Sequence, residues 1–184
     1  MIKNLSKQFG NKKINKSQKT DLVQNVFTNV SNKYDLMNDI MSFGTHRIWK
    51  EKLVDIINIQ DKEKILDVGC GTGDIGIEIL KRKKNVNVFL GDLNLSMIEE
   101  GKRKNIFKKN KVNWINTNAE ELPFNNNFFD KYIISFCLRN VTNIQKTLEE
   151  SFRVLKDGGE FFCMEFSKVN QNSLNNIYNV YKNN

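Results

Sequence analysis

Apolar residues recur along this chain at two different spacings, and the spacing changes from segment to segment. Five short apolar runs have the length of strands and predict them at 64–68, 87–92, 112–117, 129–136 and 159–166. Between the runs, helical spacing of apolar residues predicts helices at 74–84, 95–104 and 142–156. Strands that alternate with helices predict an α/β fold, with a doubly wound, mostly parallel, Rossmann-like sheet covered on both faces.

Local signals support the ends of two of these helices. Ser96 with Glu99, and Thr142 with Gln145, have the spacing of a capping box, so helix starts are expected at Ser96 and Thr142. The glycine pair at 158–159 predicts the turn before the last strand. In the helix after Thr142, the apolar residues expected to form one buried stripe are Ile144, Leu148, Phe152 and Leu155.

The pattern divides the chain into three parts. Residues 1–19 are polar and have no periodicity, which predicts a basic mobile tail. Helical spacing begins at Leu22 and returns at His46–Ile57, so residues 20–60 are expected to form a helical region. Residues 61–184 are then expected to form the α/β domain.

The distribution of charge is most uneven at the N-terminus. The chain has 184 residues and a formal net charge of +8, and its first twenty residues hold six lysines and no acid. Such a segment favours either attraction to an anionic surface, a membrane or a nucleic acid, or a solvated basic tail. Aromatic residues do not alternate with the basic ones, so no nucleic-acid partner is expected.

Cysteine and histidine are scarce. Three cysteines lie far apart and His46 is the one histidine, so neither a disulfide nor a metal site is expected. No apolar run approaches the ~20 residues of a membrane span. The odd cysteine count and the lack of a signal-peptide pattern predict a cytoplasmic protein, with peripheral contact at the inner face of the membrane as the alternative.

Candidate chemistry begins where the first predicted strand ends, in the sequence LDVGCGTGD at 66–74. Gly69, Gly71 and Gly73 allow a sharp turn and a close approach of a ligand to backbone N–H groups. The turn also satisfies the G-x-G-x-x-G pattern of dinucleotide sites, but Asp67 and the acid that ends the turn would repel a pyrophosphate. A cationic ligand with a nucleoside part fits better, and S-adenosylmethionine is such a ligand.

A second acid ends the next predicted strand. Asp92 follows an apolar run and stands 25 residues after Asp67. In doubly wound sheets an acid at this place accepts hydrogen bonds from ribose hydroxyls beside the glycine turn. Asp92 is therefore predicted to bind the ribose of the cofactor, and the alternative role for such an acid is a helix N-cap.

Further motifs stand outside the glycine turn. They are KYDLMND at 33–39, MSFG at 41–44, NAE at 118–120, LRNVT at 138–142 and EFSK at 165–168. Together with the glycine turn they resemble the UbiE family of ubiquinone/menaquinone biosynthesis C-methyltransferases, which are class I S-adenosylmethionine-dependent enzymes. The resemblance covers Val26 to about Lys168. It implies methyl transfer to a ring carbon of a polyprenylated benzoquinol or of demethylmenaquinol.

The resemblance also implies where the cofactor binds. The implied contacts lie at the carboxyl edge of the sheet, at Thr72, Asp92, Asn118, Ala119 and Ser135. The helical region at 20–60 is expected to close the site as a lid, with Tyr34 and Asp35 at the closing edge. Family members continue with two further strands, so the resemblance implies a C-terminally truncated sheet that lacks them.

Three side chains are candidates for catalysis. Arg139 is the candidate cation for a developing phenolate, with a helix cap or a pair with a surface acid as the alternative, and Asn140 is the amide that orients the ring or a water. His46 is a candidate base because its ordinary pKa lies near neutral pH, with a capping or packing role as the alternative. Three aromatic residues are candidate contacts for a polyprenyl chain, with core packing as the alternative: Phe43, Trp49 and Phe136.

Two other functions stay open at this stage. One is a non-catalytic cofactor-binding or assembly subunit, and the other is a methyltransferase of a different small molecule. A nucleic-acid methyltransferase is disfavoured because the fourth predicted strand is followed by Ser135, Phe136, Cys137 and Leu138, and not by an Asn-Pro-Pro block.

Overall fold

The computed structural model describes residues 8–9, 12–13, 16–110 and 112–166. A short antiparallel pair, Gln8–Phe9 with Lys12–Lys13, precedes three helices. These helices are α1 (Lys16–Val30), α2 (Tyr34–Ser42) and α3 (Thr45–Ile57). None of the helices in the described ranges is both long and apolar enough to cross a bilayer.

The rest of the described chain alternates between strands and helices. The strands are β1 (Lys64–Val68), β2 (Asn87–Asp92), β3 (Asn113–Asn116), β4 (Phe129–Ser135) and β5 (Leu155–Met164). The helices are α4 (Asp74–Arg82), α5 (Leu95–Arg103), α6 (Asn105–Lys109) and α7 (Ile144–Val154). Every strand pair in this sheet is parallel, and the order across the sheet is β3-β2-β1-β4-β5. The predicted doubly wound parallel sheet is confirmed.

Alternation along the central strands builds two separate cores. Ile65 and Leu90 face one layer, which contains residues of α3 and α4. Leu66 and Tyr132 face the other layer, which contains residues of α7. Because neighbouring residues of a strand point to opposite faces, Asp67 belongs to the α3 and α4 side of the sheet. The strand order reverses between β1 and β4, which opens a crevice at the carboxyl ends of these strands.

Two helices begin at residues other than those predicted. The side chain of Asn94, not Ser96, caps α5 and accepts a backbone hydrogen bond at 3.1 Å. Asn143, not Thr142, caps α7 in the same way at 3.2 Å. Asparagine caps a helix at least as well as serine or threonine, and the backbone N–H of Thr142 donates instead to Glu120 at 2.7 Å.

The predicted stripe of α7 is also wrong in part. Phe152 is 83% exposed, while Thr147 and Ser151 are buried with Ile144 and Val154. Both hydroxyls donate to carbonyl groups of the preceding turn, so burial leaves them paired. The buried face of α7 therefore includes two small hydroxyl side chains, whereas the pattern predicted a face of large apolar residues.

The last strand begins earlier than predicted. β5 starts at Leu155, and the glycine pair at 158–159 lies inside it. The register shifts there, because Phe129 pairs with Leu155 while Lys131 pairs with Glu160. The glycines therefore form an irregularity in the strand and not the turn before it.

The N-terminal region differs most from the prediction. α1 begins at Lys16, so residues 16–19 are helical and not part of a tail, and Lys19 is only 1% exposed. α2 was not predicted, because its apolar residues Leu36 and Ile40 are exposed and mark no buried face. The division at 20–60 and 61–184 stays a prediction, and residues 167–184 lie outside the described residues.

Candidate active site

A cavity of about 320 Å³ opens at the carboxyl edge of the sheet, where the strand order reverses. It has two walls. The sheet wall consists of lining residues that end or follow strands, among them Gly69, Gly71, Asp92, Leu93, Asn118, Ala119, Glu120, Ser135, Phe136 and Asn140. The helix wall consists of Thr20, Val23, Gln24 and Phe27 of α1 with Tyr34 of α2.

The glycines of the turn make room mainly for the protein's own side chains. A Cβ at Gly69 would lie 2.2 Å from Cys137 Sγ, and one at Gly73 would lie 2.9 Å from Phe107 Cζ. Both residues also have a positive φ, of 68° and 82°, which favours glycine. Gly69 and Gly71 line the cavity, whereas Gly73 does not and takes the N-cap position before α4.

Asp92 is held in one orientation at the end of β2. Its Oδ2 accepts from the backbone N–H of Gly71 and its Oδ1 accepts from that of Asn94, both at 2.8 Å. Burial raises the pKa of Asp92, although these backbone N–H groups oppose the shift. A carboxylate has about four acceptor positions, so the group retains capacity for ligand hydroxyls on the cavity side.

The other predicted contacts on the sheet wall lie where the sequence suggested. Asn118 and Ala119 follow β3, Ser135 ends β4, and all three line the cavity with Asp92. Glu120 lines it too and accepts from the backbone N–H groups of Thr142 and Asn143. Among the lining residues in the described ranges, two are acidic and none is basic.

Neither Asp67 nor Asp74, the two acids of the glycine turn, lines the cavity, contrary to the prediction that they face a ligand. Asp67 is 1% exposed and does not line the cavity, and within the described residues neither of its carboxylate oxygens has a hydrogen-bond partner. Burial raises the pKa of Asp67 to about 7. Asp74 is paired with Lys50 at 2.6 Å and Lys104 at 2.9 Å. The acids that face a ligand are therefore Asp92 and Glu120.

Thr72 also lies outside the cavity. It is 3% exposed, and its hydroxyl donates to Asp35 Oδ1 at 2.7 Å and accepts from Lys104 Nζ at 2.8 Å. Asp35 belongs to α2, so this contact joins the glycine turn to the helix wall.

The structure does not bring the three catalytic candidates together. Asn140 lines the cavity. The neighbouring Arg139 does not, and its guanidinium binds Glu165 at 2.6 Å. His46 is buried in α3, where its Nδ1 lies 2.7 Å from Ser42 Oγ, outside the cavity. Burial and then the charge of Lys50 lower the pKa of His46.

The aromatic candidates separate in a similar way. Phe136 lines the cavity and packs against Phe166, with ring centroids 4.7 Å apart. Trp49 joins this group at 6.2 Å from Phe136 and is 39% exposed. Phe43 ends α2, is 88% exposed and lines no part of the cavity.

Comparison with known proteins decides the family. A model of the ubiE/COQ5 methyltransferase family matches residues 12–184. The chain belongs to the ubiE/COQ5 methyltransferase family. This confirms the family that the motifs resemble, and with it the class of enzyme.

Curated members of the ubiE/COQ5 family are similar over most of the chain. The ubiquinone/menaquinone biosynthesis C-methyltransferase UbiE of Zymomonas mobilis is 46% identical over 174 residues, which are 94% of this chain and 71% of that protein. The UbiE of Rickettsia bellii is 45% identical and covers 94% of this chain and 72% of that protein. A SAM-dependent methyltransferase from Aquifex aeolicus has the same fold, with a TM-score of 0.65, 20% identity and coverage of 79% and 76% of the two chains.

The sequence predicts that the helical region at 20–60 closes over the site and names Tyr34, which lines the cavity, but it singles out none of the lining residues of α1. Thr20, Val23, Gln24 and Phe27 lie at helical spacing. Val23 and Phe27 belong to the apolar pattern of this helix, whereas Thr20 and Gln24 are polar and carry no such signal. α1 is fixed by contacts with distant residues. Lys19 Nζ donates to the backbone carbonyls of Arg139 at 2.8 Å and Val141 at 2.9 Å. Asn94 Nδ2 donates to the carbonyl of Gln24 at 3.1 Å.

Proposed function

We propose that this chain binds S-adenosylmethionine between the sheet wall and the helix wall and methylates a ring carbon of a quinol. The choice of cofactor rests on the charge of the cavity lining, because Asp92 and Glu120 line the cavity and no described lining residue is basic. A ligand with a sulfonium, an ammonium and no phosphate suits such a lining, whereas a dinucleotide pyrophosphate would be repelled.

In this proposal, different residues of the sheet wall contact different parts of the cofactor. Asp92 accepts hydrogen bonds from the ribose hydroxyls, and Asn118 with Ala119 borders the adenine. Gly69 and Gly71 bring the backbone close to the ligand, and Ser135 ends the wall at β4. Support comes from their common position at the carboxyl edge of a doubly wound sheet.

The acceptor is proposed from the family. The relatives named above are ubiquinone/menaquinone biosynthesis C-methyltransferases, which supports a benzoquinol or demethylmenaquinol as the substrate. Bound S-adenosylmethionine supplies the electrophilic methyl group. The chain's own task is to hold the ring in line and to favour its phenolate.

Asn140 is the proposed orienting side chain, because it lines the cavity beside Phe136. Arg139 is the proposed cation, and its guanidinium would leave Glu165 to face a phenolate. The contact of His46 with Ser42 outside the cavity supports the packing role for His46 and leaves the base unassigned.

Methyl transfer is tested with S-adenosylmethionine that carries an isotopically labelled methyl group. Incubation with a demethylated quinol should place the label on a ring carbon, as detected by mass spectrometry. Cofactor binding with no transfer to any quinol would favour a non-catalytic binding subunit. Transfer only to a different acceptor would favour another small-molecule methyltransferase.

Peripheral contact with a membrane is proposed as well. A polyprenylated quinol resides in lipid, and the lysines that precede α1 would be attracted to anionic headgroups, by about 1 kcal/mol for each lysine at most. Co-sedimentation with anionic vesicles, with and without residues 1–15, tests this at low salt. Equal partitioning of the two forms would support a solvated tail.

A further inference from the structure

A cluster of charged side chains outside the cavity joins three elements at one ammonium group. Lys104 stands between α5 and α6, and its Nζ lies 2.8 Å from Thr72 Oγ1, 2.9 Å from Asp74 Oδ1 and 2.7 Å from Asp35 Oδ2. The contacts with Thr72 and Asp74 are hydrogen bonds, and the contact with Asp35 is an ion pair. The acceptors belong to the glycine turn, to the start of α4 and to α2.

The cluster is balanced in charge, and three of its four charged side chains are largely shielded from water, while Asp35 is 37% exposed. Asp74 also binds Lys50 at 2.6 Å, so two lysines face two aspartates. The side chains of Lys50, Asp74 and Lys104 are 11%, 23% and 22% exposed. Although burial opposes it, the charges of Lys50 and Lys104 hold the pKa of Asp74 well below its usual range. Removing one partner from such a group leaves another charge uncompensated.

The cluster is connected to the cavity through Tyr34, the residue before Asp35 in α2. Tyr34 lines the helix wall, and its Cε1 is 3.6 Å from the position that a Cβ of Gly71 would take. Thr72 is the next residue after Gly71, and its hydroxyl donates to Asp35 at 2.7 Å. Tyr34 and Asp35 both belong to the first turn of α2, so the hydrogen bond from Thr72 to Asp35 joins the glycine turn to the residue next to Tyr34.

We propose that Lys104 is a positioning residue that fastens the helix wall to the glycine turn, and that a bound cofactor leaves the cavity only when this fastening opens. The proposal rests on the proposed binding of S-adenosylmethionine in the cavity. Lys104 itself touches no ligand, because it lies outside the cavity lining and acts through Asp35 and Thr72.

The test measures the dissociation rate of S-adenosylmethionine by stopped flow and its Kd by calorimetry. Lys104→Met and Asp35→Asn should each release the cofactor about tenfold faster, a common size for coupling between two sites. The double variant should release it no faster than either single variant, because both changes break one connection. Lys102→Met is the matched control and should leave the rate unchanged, since Lys102 makes only an exposed pair with Glu99.

The outcomes separate this proposal from a purely structural role. If the variants melt at a lower temperature but release the cofactor at the wild-type rate well below melting, the proposal is overturned. If Lys104→Met does not fold, Asp35→Asn decides alone, because Asp35 is 37% exposed and keeps its shape as asparagine. Failure of the unmodified chain to bind S-adenosylmethionine would instead overturn the proposed function.

Discussion

The two walls of the cavity are built by different means. On the sheet wall, the hydrogen bond between Asp92 and Gly71 joins residues 21 positions apart; Asp92 ends β2, and Gly71 lies in the turn that follows β1. On the helix wall, Lys19 reaches Arg139 over 120 positions through one side chain. The pairing of parallel strands therefore positions the sheet wall, whereas a few polar contacts between residues distant in sequence hold the helix wall in place. Substitutions should be able to loosen the second wall without loss of the first.

The largest effect is expected beneath the sheet wall, at Asp67. Burial raises its pKa to about 7, while the unfolded chain keeps the ordinary value near 4. Below pH 4 the carboxyl is protonated in both states and carries no penalty. Between pH 4 and 7 only the unfolded state releases the proton, so stability falls as the pH rises, by on the order of 4 kcal/mol in total.

Asp67→Asn removes this dependence. The melting temperature of the variant relative to the wild-type chain should therefore rise between pH 4 and pH 8, as measured by thermal denaturation. Asp61→Asn, on the exposed turn before β1, is the control. An equal difference at both pH values would mean that the pKa of Asp67 is not raised in the folded chain.

The next effect tests the sheet wall itself. Asp92→Ala should weaken S-adenosylmethionine by about 1.5–3 kcal/mol, the size of lost hydrogen bonds to a charged group. Calorimetric titration measures it, with Asp61→Ala as an exposed control. An unchanged dissociation constant would remove Asp92 from the ribose role.

A smaller effect is expected when the helix wall is loosened. Lys19→Met keeps the length of the side chain but removes the hydrogen bonds to the carbonyls of Arg139 and Val141. Stability should fall by about 1–3 kcal/mol, as measured by denaturant titration. Hydrogen exchange at 138–142 should become faster while exchange in β1 stays slow. Lys52→Met, exposed on α3, should change neither quantity, and faster exchange in β1 would show that the two walls are not independent.

The same contrast explains what could be predicted from the sequence. The glycine turn and Asp92 follow from strand ends, which the local pattern marks, whereas Asn118 is implied by the family resemblance. The neutralisation of Asp74 did not, because Lys50 and Lys104 lie 24 and 30 positions away. The helical region at 20–60 is expected over the site, but the polar lining residues of α1 could not be predicted, because contacts with residues distant in sequence place this helix.

The most direct test of the proposed cofactor is a pair of calorimetric titrations of the unmodified chain, one with S-adenosylmethionine and one with NAD. Because the lining acids are Asp92 and Glu120, S-adenosylmethionine should bind and NAD should bind much more weakly or not at all. Tighter binding of NAD would contradict the assignment of this cavity.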